Sequence, residues 1–301
     1  MNSEQTTETI DTSLLDLDQR STASILSLLL RSQRHAVDAV DQASEAIEHA
    51  ITAALGTLKE SQGRLVLVGA GASGRLAVQD GAELWPTYGW PHERLLLCMA
   101  GGNEALIKSI EGVEDDAPAA QAQVQEHKIN KSDVVLALAA SGRSPWTCSW
   151  IEAARNEGAL TIGVSNNAGA PLLEMAEYPV CLSSGSEVLA GSTRMAAGTA
   201  QKVFLNLFST ALMIRLNRTY GNLMTDMAAV NRKLDDRRLR MLCTVLPDLS
   251  MGEAEAALTA ADGWVKLAAL IACGETPESD VALLEKHAGS LRAALSELNS
   301  G

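Results

Sequence analysis

Aromatic residues are scarce in this chain: phenylalanine, tyrosine and tryptophan together make up only 3% of its 301 residues. Stacking platforms for bases or long polysaccharides are therefore not expected. Basic charge is also in short supply. Against 37 Asp and Glu stand 24 Lys and Arg, a net charge of −13, which excludes the concentrated cationic surface that nucleic acid requires. An anionic ligand would need local cations, and Arg75, Arg143, Arg194 and Lys202 are the candidates. The five cysteines (Cys98, Cys148, Cys181, Cys243 and Cys273) contain no Cys-x-x-Cys pair, and the five histidines show no His-x-x-x-His or His-x-Glu spacing. Neither a disulfide framework nor a metal site is expected, and with them no cofactor; the composition points to a reduced, cytoplasmic protein. The start, Met1-Asn2-Ser3-Glu4-Gln5, is acidic and polar, and no apolar run is long enough to span a membrane, so neither a leader nor a membrane partner is expected.

What is present is a chain of 47% hydrophobic content, enough for one large core and a smaller appendage. Five apolar runs, at about 64–68, 94–99, 133–139, 160–164 and 178–182, alternate with helical sequence. Such alternation predicts an α/β fold, a doubly wound, five-stranded parallel sheet of flavodoxin-like type with right-handed crossovers. Ahead of it, apolar residues at helical spacing from Thr22 to Leu58 (Ile25, Leu28, Val37, Val40, Ile47, Ile51) predict one long or broken N-terminal helix. A hydrophobic helix is expected from Thr199 to Leu216, and Ala-rich helices at Gly252–Ala261, Gly263–Cys273 and Pro277–Leu298. Pro277 after Thr276 marks a helix start, and Gly289 marks a break. The expected division is 1–58, an N-terminal arm and helix; 59–245, the sheet domain; and 246–301, a small helical domain.

Ala-Ser-Gly-Arg occurs twice, at Ala72-Ser73-Gly74-Arg75 and Ala140-Ser141-Gly142-Arg143, each time after an expected strand and before helical sequence. A strand that turns through small residues into a helix aims unpaired backbone N–H groups and the positive helix end at one spot, where phosphate can sit. Ser adds a hydroxyl donor, Gly lets the backbone approach closely, and Arg supplies a fixed charge. Any doubly wound sheet needs tight turns, but two copies favour a compact phosphorylated ligand. Residues 69–74 also spell Gly-Ala-Gly-Ala-Ser-Gly, a literal dinucleotide fingerprint. That reading wants a carboxylate at the end of the next strand, and Arg94–Met99 runs instead into Ala100-Gly101-Gly102-Asn103.

Two acid-bearing segments lie between the turns, Asp80-Gly81-Ala82-Glu83-Leu84-Trp85-Pro86-Thr87-Tyr88-Gly89 and Glu111-Gly112-Val113-Glu114-Asp115-Asp116. A polar loop follows the fifth strand, Glu187-Val188-Leu189-Ala190-Gly191-Ser192-Thr193-Arg194, with Ala197-Gly198-Thr199-Ala200-Gln201-Lys202 and Tyr220-Gly221-Asn222-Leu223-Met224 after it. Over about residues 15–300 this ordered pattern resembles the N-acetylmuramic acid 6-phosphate etherases, a branch of the sugar isomerase (SIS) fold related to the glucokinase regulatory proteins. The resemblance implies cleavage of the lactyl ether to give N-acetylglucosamine 6-phosphate and D-lactate. It implies Glu83 as the acid and Glu114 as the base, with Ser73, Gly74, Arg75, Ser141, Gly142, Arg143, Ser144, Glu187, Ser192 and Thr193 binding substrate. It further implies a homodimer with shared active sites. A straight helix from Ser73 to Glu83 would separate them by about 15 Å along its axis, a gap that a partner's residues would enter.

This chain departs from the family's usual pattern at Ala72, where threonine is usual, and at Leu84-Trp85, where a Cys-Pro pair is usual. The much larger Trp85 bears on the shape of the site and on substrate choice. The alternatives are a noncatalytic sugar-phosphate sensor and an aldose–ketose isomerase of the same fold; retention of Glu83 and Glu114 favours the etherase.

Overall fold

The computed structural model describes residues 6–227, 232–274 and 277–298. Met1–Gln5 and Thr276, read above, lie outside them. The N-terminal helical pattern resolves into α1 (Thr22–Gln42) and α2 (Ser44–Glu60). Ser21 caps α1 by accepting from the Ser24 N–H, and the break falls at Ala43, whose backbone leaves helical geometry at φ −91°, ψ 5°.

The chain then alternates as expected: β1 (Leu65–Gly69), α3 (Gly71–Ala82), α4 (Leu84–Tyr88), β2 (Leu95–Met99), α5 (Glu104–Ile107), α6 (Ala117–Glu126) and β3 (Val134–Leu138). It continues through α7 (Pro145–Asn156), β4 (Leu160–Ser165), α8 (Pro171–Met175), β5 (Tyr178–Cys181) and α9 (Ala196–Arg215). α3 ends at Ala82, so Glu83 sits in the turn before α4 rather than on one continuous helix with Ser73.

All five strands are parallel, in the order β2-β1-β3-β4-β5. The order reverses between β1 and β3, which pair directly from Leu65↔Val134 to Gly69↔Leu138. Open α/β sheets bind ligands at such a switch, beyond the carboxyl ends of the strands. Successive strand residues face opposite sides. On one side Val66, Val68, Val135 and Ala137 pack with Trp146 and Trp150 of α7 and Val124 of α6. On the other side Leu67 and Leu97 meet Gly81 of α3, where a Cβ would come within 2.4 Å of Leu97. Glycine there sets how closely α3 approaches the sheet.

The chain forms two compact units, one of Met1–Gly81 with Glu93–Ser209 and another of Ala82–His92 with Thr210–Gly301. This division differs from the sequence boundaries at 58 and 245. The N-terminal helices cluster with the sheet, and the helical unit begins at Thr210 and takes in the segment around Glu83. That helical unit contains α10 (Arg232–Val245), α11 (Met251–Ala260), α12 (Val265–Ile271), α13 (Pro277–Lys286) and α14 (Leu291–Leu298). α10 has no counterpart among the expected helices, because its charged start, Arg232-Lys233-Leu234-Asp235-Asp236, masks the apolar face of Met241, Leu242 and Val245. Gly289, at φ +77°, separates α13 from α14.

At the centre of the helical unit Lys266 is buried, with Nζ 2.7 Å from Asp226 Oδ2 and donating to the carbonyls of Asn217 (2.6 Å) and Gly289 (2.9 Å). Burial draws this ammonium below the usual lysine range despite its partner. No helix among the described residues is long and apolar enough to cross a membrane.

Candidate active site

The two Ser-Gly-Arg turns leave the sheet from adjacent strands. After β1, Gly71 adopts φ +54° and turns the chain into α3. Gly69 and Gly74 pack so closely that a Cβ on Gly74 would stand 2.5 Å from the Gly69 carbonyl, so strand end and first helical turn touch through backbone alone. Ser73 is buried at this turn, and its hydroxyl has no partner among the described residues. It and the first N–H groups of α3 form an open donor set of the kind that accepts an anion.

The second turn is fixed from below by the polar end of β4. The Ala140 carbonyl accepts from the Asn166 N–H (3.0 Å), the Asn167 side-chain amide (2.9 Å) and the Ser165 hydroxyl (3.3 Å). Gly142, at φ +64°, lies against Ser165 and Ala170, where any Cβ would clash at about 2.5 Å or less. The Ser141 oxygen accepts from the Arg143 N–H (3.1 Å), leaving its own proton to donate. Arg143 extends an exposed side chain from this turn.

Glu114 is tied to the same turn through its main chain: its carbonyl accepts from the Ser144 hydroxyl (3.1 Å) and from the Trp146 N–H in the first turn of α7 (2.9 Å). The Glu114 side chain is exposed. Glu83 is exposed too, and precedes α4 without capping it. Within the helical unit its segment is held by buried Leu84, whose carbonyl accepts from the Trp90 N–H (3.2 Å), and by Gly89, at φ +58°, against the Asp226 carbonyl. Trp85 stacks on His92 with ring centroids 4.8 Å apart and stays partly exposed beside Glu83.

Three residues expected to meet a ligand have other partners. Arg75 donates from Nε to the carbonyls of Ala105 and Leu106 and from Nη2 to that of Lys108, each at 3.1 Å, closing the carboxyl end of α5. Lys202 pairs with Asp80 of α3 at 3.2 Å. Glu187, only 1% exposed, accepts from the N–H groups of Ala196 and Ala197, each at 2.9 Å, and so caps the start of α9. Arg194 has no ion-pair partner among the described residues. Ser192 and Thr193 lie in the loop before α9, where Gly198 donates its N–H to the Thr193 carbonyl (2.8 Å). Among the described residues no three His, Cys, Asp or Glu side chains converge as a metal site would require.

Sequence reasoning passed over Ser165-Asn166-Asn167, buried polar residues that organise the second turn. Asn166 donates to the Leu182 carbonyl (3.0 Å) and the Ser184 hydroxyl (3.2 Å) and accepts from Gln201 (3.0 Å). Asn167 holds Thr7 of the N-terminal arm through two bonds, from Thr7 N–H (3.2 Å) and to Thr7 Oγ1 (3.0 Å). The signal was a run of polar residues directly at a strand end, where buried amides must find partners.

Residues 46–155 match the family described as the glucokinase regulatory protein N-terminal SIS domain. An N-acetylmuramic acid 6-phosphate etherase of Deinococcus radiodurans is 42% identical over 288 residues, covering 96% of this chain and 90% of that protein. One from Halalkalibacterium halodurans is 38% identical over 295 residues, covering 98% of each. Among solved structures, a phosphoheptose isomerase from Francisella tularensis is 20% identical at a TM-score of 0.47, covering 65% of this chain and 98% of that one. The near-full-length identity to the etherases decides the assignment: this chain belongs to the N-acetylmuramic acid 6-phosphate etherase family.

Proposed function

We propose that the chain cleaves the D-lactyl ether of N-acetylmuramic acid 6-phosphate, its relatives being named N-acetylmuramic acid 6-phosphate etherases. The observation that supports the reading is the bonding of the Glu114 carbonyl to Ser144 and Trp146, which brings a carboxylate-bearing residue beside the second Ser-Gly-Arg turn. Opening the sugar ring exposes an aldehyde at C1 and acidifies the C2 proton. Glu114 takes that proton, electrons form the C2–C3 double bond, and the C3–O bond breaks. Glu83 delivers a proton to the departing oxygen, which leaves as D-lactate. Water then adds at C3 and a proton returns to C2, giving N-acetylglucosamine 6-phosphate with atoms and charge balanced. Base and acid must hold opposite protonation states at one pH.

In this reading Ser73, Ser141, Ser192 and Thr193 donate to the substrate, with Gly74 and Gly142 admitting it to the backbone, while Ser144 serves by holding the Glu114 main chain at the turn. Arg143 supplies positive charge, and Arg75 and Glu187 act by holding helix ends. No resident metal or nucleotide takes part. We also infer a homodimer with shared sites, supported by an exposed apolar stripe on α1, where Leu26, Leu30 and Val37 are 60%, 57% and 47% exposed and recur on one helical face. A cytoplasmic location is supported by five free cysteines.

The test is release of D-lactate by the purified protein from the muramic acid phosphate, with the unphosphorylated sugar as control. Lactate only from the phosphorylated sugar is expected. A folded protein that binds the phosphate sugar and releases no lactate would overturn the etherase and leave the sensor.

A further inference from the structure

A separate cavity opens in the sheet-bearing unit between the N-terminal arm, α1 and the loop after β5. Its volume is about 390 Å³, within the range of small-molecule sites. β5 is the edge strand, two places or about 10 Å across the sheet from β3, and no residue of either Ser-Gly-Arg turn lines the cavity.

One wall is the segment Ser184–Val188. The main-chain N–H groups of Gly185, Ser186, Glu187 and Val188 make no hydrogen bond among the described residues, and Gly185 adopts φ +76°. Successive unpaired N–H groups around a left-handed residue form a concavity that attracts anions. The Glu187 carboxylate does not fill it, being bonded to Ala196 and Ala197.

The facing wall is α1, from which Arg31 and His35, four residues apart on one helical face, line the cavity. Neither has a hydrogen-bond or ion-pair partner among the described residues. A Cβ built on Gly185 would lie 3.7 Å from His35 Nε2, so the imidazole stands over the unpaired N–H groups. The Ser184 hydroxyl accepts from Asn166 and keeps its proton to donate. Asp11 also lines the cavity, but its Oδ1 is taken up by the Ser13 N–H (2.9 Å) and hydroxyl (2.6 Å). Leu14, Leu28 and Val188 supply an apolar side.

We propose that this cavity is a second anion site, distinct from the turns after β1 and β3, and that it takes a phosphorylated small molecule. Guanidinium, imidazole, backbone N–H and hydroxyl donors converge from two segments, α1 and the loop after β5, as the oxygens of a phosphomonoester demand. The apolar side and a volume beyond the needs of a free phosphate leave room for a carbon skeleton. A ligand there would fasten the arm and α1 to the loop that leads to Ser192 and Thr193.

The experiment is calorimetric titration of the full chain with inorganic phosphate and, separately, with glucose 6-phosphate. Two sites per chain are expected in the wild type. An Arg31→Ala/His35→Gln double variant should weaken one of them at least tenfold while its circular dichroism and melting stay unchanged, both side chains being exposed. Ser141→Ala should leave that site intact and weaken the other. A single wild-type site abolished by the double variant would support the cavity and count against phosphate at the turns. Wild-type sites all unaffected by the double variant, or no binding at all, would overturn the cavity site. Glucose 6-phosphate binding there no tighter than inorganic phosphate would overturn the small-molecule part.

Discussion

Glu187→Gln separates a carboxylate that serves the substrate from one that serves a helix. Glu187 is 1% exposed, and each of its oxygens accepts one N–H at the start of α9, at 2.9 Å. A hydrogen bond to a charged group contributes about 1.5–3 kcal/mol, and a buried donor left unpaired costs about 1–3 kcal/mol. Glutamine keeps one acceptor oxygen, presents an NH₂ to the second N–H, and removes the negative charge that the helix start favours by about 0.3–1 kcal/mol. The expected destabilisation is about 2–4 kcal/mol. At roughly 2–4 °C per kcal/mol for a domain of this size, the melting temperature should fall by about 5–15 °C. The assay is urea unfolding with the slope checked for constancy, joined to KM measured well below the midpoint. A lowered midpoint with KM within about twofold of wild type is expected. An unchanged midpoint with KM raised tenfold would refute the helix role and return Glu187 to the substrate.

Glu83→Gln and Glu114→Gln should each reduce kcat at least about a hundredfold with folding retained, the scale for losing a positioned acid or base; near wild-type turnover in both would remove their assignment. Ser141→Ala should instead act mainly on KM, since its hydroxyl proton is free to donate, and a fall in kcat at constant KM would contradict that. Burial pushes Cys98 up to about 12 and Cys148 up to about 11, against 9.0 for an unperturbed thiol. Both stay protonated in the folded chain where the unfolded chain ionises, so their contribution is complete below pH 9.0 and is lost as pH rises toward those values. Urea midpoints between pH 8 and 10.5 should fall less steeply for Cys148→Ala than for wild type, by up to about 1.4 kcal/mol per pH unit; parallel slopes would count against it. Mixing inactive Glu83→Gln and Glu114→Gln chains should restore about a quarter of the activity if each site draws these two residues from different subunits, and no recovery despite proven exchange would exclude that sharing.

The strands were legible because each is a short apolar run, and every expected strand end falls within one residue of the observed one. Their neighbours were not. Pairing of β1 with β3 rather than in sequence order depends on contacts some seventy residues apart, and no local pattern records it. That pairing is what sets the two Ser-Gly-Arg turns side by side. The affiliation of the Glu83 segment with the C-terminal helices was equally hidden, since it rests on Gly89 against Asp226 and not on anything within Asp80–Gly89.

Arg75 and Glu187 show why charged residues in a ligand motif are hard to assign from sequence. A helix end presents the same unpaired backbone groups to a substrate and to the chain's own side chains. An arginine beside a phosphate turn can therefore neutralise a ligand or close the carboxyl end of a neighbouring helix, and Arg75 does the latter on α5. A glutamate before a helix can hold a sugar or stand in for an anion at the helix start, and Glu187 does so at α9. The deciding fact is whether an end is already occupied. α9 is filled by its own carboxylate, whereas no side chain caps α7, and none bonds the first N–H groups of α3 among the described residues. Those two helix starts follow β1 and β3, at the switch point of the sheet, and the first N–H groups of α3 are donors the chain has not already used, whereas the Trp146 N–H of α7 is held by the Glu114 carbonyl.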